Sequence, residues 1–150
     1  MTASTEVLIG DADGQHVLIR ILARNHPGLF DYWDGNWLAC ELHISAGGFR
    51  GAFRADLRSE EFQTFLDEAE ALSRALDGVA SFSTMEEQIA FTLTGDGRGH
   101  VRVEGKAFDA PGSDNHLHFI FDIDQTYLPE ICRSLGVVLA AFPVVGTTDA

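Results

Sequence analysis

Tyr32-Trp33-Asp34-Gly35-Asn36-Trp37-Leu38 is the stretch on which the reading of the fold turns. It places both tryptophans of the chain within five residues, around an Asp-Gly-Asn turn signal. It then runs straight into Leu38-Ala39-Cys40-Glu41-Leu42-His43-Ile44. Leu38, Cys40, Leu42 and Ile44 share one side of that run, and Trp37, Ala39, Glu41 and His43 share the other, which is the period of a half-buried strand. Gly47-Gly48 allows a tight reversal into residues 49–55, where Phe49, Phe53 and Ala55 share a face opposite Arg50 and Arg54. The aromatic turn is therefore the entry to a hairpin. Large aromatic side chains bury roughly 150 to 250 Å² each, so Trp33 and Trp37 are expected to anchor the packing. Truncation of either to Ala would cost about 3 to 5 kcal/mol if it were fully buried.

Outward from this hairpin the same logic assigns the remaining elements. Upstream, residues 7–9 and 16–22 are short apolar runs joined by Asp11-Ala12-Asp13-Gly14, an Asp-Gly hairpin signal, and residues 23–34 read as a surface loop. Downstream, Ser59 is placed to cap a helix, with Glu60 and Glu61 at the positive end of its dipole. Phe62, Phe65, Leu66, Ala69, Leu72, Ala75 and Leu76 recur at three- and four-residue steps, and Gly78 is placed to end the helix. A short 79–82 segment, then 89–93 and 101–108, predict further strands, with Gly95-Asp96-Gly97-Arg98-Gly99 as a turn. Leu117, Phe119, Phe121 and Ile123 form the clearest inward face. Asp124 or Thr126 can cap a last helix, Pro129 falls in its first turn, and Leu128, Ile131, Cys132, Leu135, Leu139 and Phe142 supply its stripe. The expectation is one α+β domain over 1–150, built from consecutive β-hairpins and two amphipathic helices in the order ββββ-α-βββ(β)-α, with a loose tail at 144–150.

Charge narrows the partners. Twenty-three acidic residues against 10 basic ones give a net −13, and Lys106 is the sole lysine. Phosphate binding rests on Lys and Arg, so nucleic acid and anionic membranes are poor partners, and a basic protein fits better. The N-terminal residues lack the basic and apolar regions of a signal peptide, and the sequence contains no long apolar run, so the expected location is the cytoplasm. Cys40 and Cys132 lie in apolar patterns without CxxC spacing and read as buried thiols.

Candidate chemistry is sparse. His116 and His118, two apart on a strand, share a face that Asp122 and Asp124 continue, which makes them the best metal candidates. A third ligand would have to come from a neighbouring strand, such as His100 or His43. The Gly95–Gly99 loop leads into a strand rather than a helix and lacks a Lys-Ser/Thr ending, so a hairpin turn outweighs a phosphate loop. No nucleophile elbow is present, and Asp122 with Asp124 do not stand out as a poised acid and base. Trp33, Asp34, Asn36 and Trp37 could line a small pocket, with aromatic faces and a few polar groups. Non-enzymatic binding is the expected class, with no cofactor and no metal; the alternative is a small-molecule or metal-binding domain using the Trp33/Trp37 turn or the His116/His118 face.

The Asp34-Gly35-Asn36-Trp37-Leu38 turn, the Gly-containing hairpin, the helix beginning near Glu60-Glu61-Phe62, the later Gly99-His100-Val101 and the Asp124-Gln125-Thr126-Tyr127-Leu128 junction together resemble the WapI-type bacterial immunity proteins. The resemblance spans roughly residues 30 to 140, and its most specific parts are Asn36-Trp37-Leu38 and Asp124 to Leu128. It implies an antitoxin that binds the C-terminal toxin domain of a wall-associated polymorphic toxin, often a nuclease. It carries over no catalytic residues. The charge agrees independently, because a nuclease toxin is attracted to phosphate and is usually basic. The acid-rich helix is the expected contact, with Glu60, Glu61, Asp67, Glu68 and Glu70 as its rim.

Overall fold

Period-two alternation makes strands here because it lets one side of each run enter the core while the other meets water. The computed structural model describes residues 5–148. Strands β1 (Thr5–Gly10), β2 (His16–Arg24), β3 (Trp37–Ala46) and β4 (Phe49–Arg58) form one antiparallel sheet in chain order, and β5 (Asp77–Phe82), β6 (Ile89–Asp96), β7 (His100–Phe108) and β8 (His116–Asp124) form a second. Each sheet is followed by a helix, α2 (Ser59–Ala75) and α3 (Leu128–Ala141) respectively. A four-residue helix, α1 (Tyr32–Gly35), interrupts the link between β2 and β3. The architecture is the expected α+β order, with the 79–82 segment resolved as the first strand of the second sheet.

The inward faces meet in one core. Val7, Ile9, Val17, Ile19, Leu38, Cys40, Leu42 and Leu57 come from the first sheet, Leu93, Val101, Val103, Phe119 and Phe121 from the second, and Phe62, Phe65, Leu128, Ile131, Leu135 and Val138 from the helices. Fully burying each Leu, Ile or Phe stabilises by about 1.5 to 3 kcal/mol. An aromatic cluster sits where α2 crosses to the second sheet: Phe62 and Phe82 have ring centroids 5.3 Å apart, and Phe65 and Phe91 5.4 Å. Helix α2 lies against β5, α3 lies against β1, and the two helices pack on each other. Each half thus lends its helix to the first strand of the other half. Gly105 is required within the second sheet, since a Cβ there would fall 2.5 Å from both the Ala90 carbonyl and the Phe91 Cβ of the neighbouring strand β6.

Four local expectations change. Ser59 is the first residue of α2, not its cap; the cap is Arg58, whose N–H donates to Glu61 Oε1 at 2.8 Å, and the Ser59 hydroxyl is buried without a partner. Helix α2 stops at Leu76 rather than at Gly78. Leu76 takes a left-handed φ of 61°, and its carbonyl accepts the Gly97 N–H at 2.8 Å. A left-handed leucine costs about 1 to 2 kcal/mol, so tertiary contacts override the glycine signal. The surface loop expected at 23–34 is shorter, because β2 runs on to Arg24 through a bulge at Ile21/Ala23 and α1 begins at Tyr32. The tail expected to be loose from residue 144 is tied down at Val145, which exchanges two hydrogen bonds with Asn36. Asp149 and Ala150 lie outside the described residues.

Candidate functional site

The tryptophan turn is built around a buried arginine. Asp31 starts α1 in an extended conformation, and its carboxylate accepts the Asp34 N–H at 3.0 Å. A one-turn helix leaves its last carbonyls without partners, and here cationic side chains fill them. Arg58 donates through Nη2 to the Tyr32 carbonyl at 2.6 Å and through Nη1 to the Trp33 carbonyl at 2.7 Å, and Arg24 Nη1 donates to the Gly35 carbonyl at 2.7 Å. Positive charge at a helix C-terminus also suits the dipole. The Arg58 guanidinium lies 4.8, 5.3 and 5.8 Å from the ring centroids of Trp37, Tyr32 and Trp33, and Nε bonds the Glu60 carboxylate. Arg58 is 1% exposed.

The space considered for a ligand between Trp33 and Trp37 is thus filled by the chain's own Arg58. Asn36, fully buried, donates to the Tyr32 and Val145 carbonyls and accepts the Val145 N–H, each at 2.9 Å. Asp34 is exposed and Trp37 half-buried. Trp33 is 55% exposed, so the cost written for a fully buried tryptophan applies to neither. Sequence reading missed Arg58, although a signal was present. The two-residue Gly47-Gly48 turn sets the hairpin register, and that register pairs Trp37 with Arg58.

The acidic helix is less uniform than its sequence. Glu61 accepts the N–H groups of Arg58 at 2.8 Å and Met85 at 2.6 Å, and burial pushes its carboxyl up to about 7 despite those donors. Glu60 holds Arg58, and Glu68 accepts the Ser81 N–H at 2.8 Å. Three of the five candidate contacts therefore bond inside the protein. Asp67 and Glu70 are exposed, the first accepting from Gln63 at 3.0 Å and the second 4.0 Å from Arg74.

The histidine face is not gathered into a metal site. His118 Nε2 lies 2.9 Å from Glu104, and His116 lies beside Phe108 with ring centroids 5.2 Å apart and planes tilted by 34°. His100 pairs with the far end of β8, opposite Asp124, while His43 belongs to the other sheet and contacts Glu41 at 2.8 Å. Among the described residues no group of three His, Cys, Asp or Glu side chains could hold a metal ion. Asp122 faces His100 at 3.2 Å, and Thr126 holds the Asp124 carboxyl below the usual carboxylate range by bonding to it. Burial pushes the Cys40 thiol up to about 12 and raises that of Cys132. Both sulfurs stay protonated and poorly nucleophilic at neutral pH. His16, His43, Ser45 and Arg50 line an open groove of about 620 Å³ on the outer face of the first sheet. No described helix is long and apolar enough to cross a membrane.

The family model of the WapI-like immunity proteins matches residues 7–143. The chain belongs to that family. The match takes in both sheets from Val7 onward, the α1 turn and both long helices of this immunity protein. No curated protein matches the chain. Among solved structures, a chain of a guide-RNA-binding protein complex bound to a gRNA is similar at a TM-score of 0.50 and 12% identity, covering 93% of this chain and 91% of that one. A chain from Trypanosoma bruciei MRP1/MRP2 is similar at a TM-score of 0.49 and 12% identity, covering 94% and 86%. Identity this low speaks to the fold alone.

Proposed function

We propose that this immunity protein acts without catalysis, from the cytoplasm, by binding and neutralising the toxin domain of a bacterial polymorphic, wall-associated toxin, and that this domain is a basic nuclease. The observation that carries the reading is the net charge of −13 in a member of an immunity family. Such a charge speeds encounter with a cationic enzyme and competes for the surface that would otherwise hold phosphate. The exposed carboxylates Asp67 and Glu70 on α2, with Glu60 at its start, are the proposed contacts, and Glu61 and Glu68 brace that helix from within. The shared core of the two sheets supports reading 1–150 as one domain. Guide-RNA binding by the neighbour of similar fold is not extended to this chain, since −13 repels a polyphosphate.

The test is a binding titration of the chain against a catalytically inactive form of the C-terminal toxin domain encoded beside its gene. Tight binding that weakens at least about tenfold between low and high salt is the expected result. Binding insensitive to salt would remove the basic-surface reading. A domain that does not bind at all would remove the toxin partner itself.

A further inference from the structure

We propose that the α1 turn and the strap of residues 143–146 lying against it form the apolar anchor of the partner interface, with Trp33 and Phe30 entering a pocket on a cationic protein surface. This rests on the reading of the chain as a binder of a basic toxin domain. Isolated exposed apolar side chains are ordinary, whereas a concentration of them marks an interaction site. Ten large apolar side chains are exposed among the described residues, and four belong to this one neighbourhood: Phe30 at 73%, Trp33 at 55%, Leu29 at 43% and Val144 at 38%. The exposed carboxylates of Asp31 and Asp34 flank them in sequence, and Glu60 adjoins them through Arg58. An apolar centre with an acidic rim fits a basic partner, and the rim disfavours a phosphate surface.

The interior beneath the patch is built to hold it still. Two fully buried polar side chains, Asn36 and Arg58, spend their hydrogen bonds on the carbonyls of α1 and on Val145, apart from the Arg58 Nε bond to Glu60. Arg24 adds bonds to the Gly35 and Pro143 carbonyls. Close packing excludes alternatives as well, because a Cβ at Gly146 would fall 2.4 Å from the Tyr32 N. The Trp33 ring sits edge-on to Tyr32, centroids 5.0 Å apart, over the Arg58 guanidinium. Its rotamer is therefore set before any partner arrives. A preorganised, half-exposed tryptophan among exposed apolar side chains is the residue type that dominates binding energy in protein interfaces.

The test uses the full chain and the inactive toxin domain encoded beside its gene, in variants Trp33→Ala and Phe30→Ser. Phe30 is so exposed that its replacement leaves folding intact, which separates binding from stability. Each variant is expected to weaken binding at least about 30-fold while the far-UV spectrum is kept, and Phe30→Ser to keep the melting temperature as well. Wild-type affinity in Phe30→Ser and Trp33→Ala, with the wild type binding well, would overturn this inference and leave the toxin reading standing. Failure of the wild type to bind would overturn both. A Trp33-dependent dimer in sedimentation, with no change in toxin affinity, would assign the patch to a second copy of the chain and overturn it too.

Discussion

The two strand-to-helix junctions occupy equivalent places in the two halves and are held by opposite means. At the second, β8 passes into a 3-10 turn (Gln125–Tyr127) and α3 with local side-chain bonds: Asp124 accepts from Thr126 two residues on, Pro129 occupies the first turn of the helix, and the one longer tie is a backbone bond from the Gln125 N–H to the Gly99 carbonyl at 2.8 Å. At the first, β4 passes into α2 through Arg58, whose bonds reach the carbonyls of Tyr32 and Trp33, and Asn36 carries the network on to Val145, 109 residues away. One junction ends a strand and starts a helix. The other does the same and also fixes an aromatic turn at the surface, which is a reason for a buried arginine where an exposed Asx cap would suffice.

The largest expected effect follows from breaking the long-range junction. Arg58→Met leaves the Trp33 carbonyl and the Glu60 carboxylate without their partner and the Tyr32 carbonyl with Asn36 alone, and should cost about 3 to 5 kcal/mol in urea unfolding. A loss under about 1 kcal/mol would mean that solvent or relaxation replaces the arginine.

The same junction should make stability depend on pH. Burial raises the Glu61 carboxyl from 4.5 to about 7, so the folded state holds a proton that the unfolded chain has released. The associated stability is fully present below pH 4.5 and is lost as pH rises through about 7. At about 1.4 kcal/mol per pH unit this amounts to about 3 kcal/mol at most. Glu61→Gln, which keeps an acceptor and removes the titration, should flatten unfolding curves across that window; a slope unchanged in the variant would place the effect elsewhere.

Asn36→Ala removes three side-chain hydrogen bonds at a fully buried position and should cost about 2 to 3 kcal/mol. It should also expose residues 143–148 to proteases that spare the wild type. Asp124→Ala, by contrast, removes an exposed local cap and should cost far less than Arg58→Met, and Asp124→Asn should restore most of the loss. An Asp124→Ala loss as large as that of Arg58→Met would erase the distinction between the junctions.

That distinction also explains what could be read in advance. The Asx cap, the proline in the first turn of α3 and the alternation of Leu38 to Ile44 are local codes, each complete within a few residues. Arg58 is hidden from such codes because alternation with Ala55 and Leu57 sends it outward, and it is buried beneath the rings of Tyr32 and Trp33 from α1 and Trp37 from β3. The ties from Asn36 and Arg24 to the C-terminal strap join positions more than a hundred residues apart, and no local pattern encodes them. The acidic helix shows the reverse case. Its charges were plain in sequence, but which of them bond inward depended on β4 and β5 lying beside it.

Amide hydrogen exchange on the free chain and on its complex with the inactive toxin domain compares the two junctions in one experiment. Binding should add protection at residues 29–36 and 144–146 and leave exchange at residues 124–128 unchanged. Protection confined to 124–128, or spread over α2 without reaching the α1 turn, would contradict the assignment of the tryptophan turn to the interface.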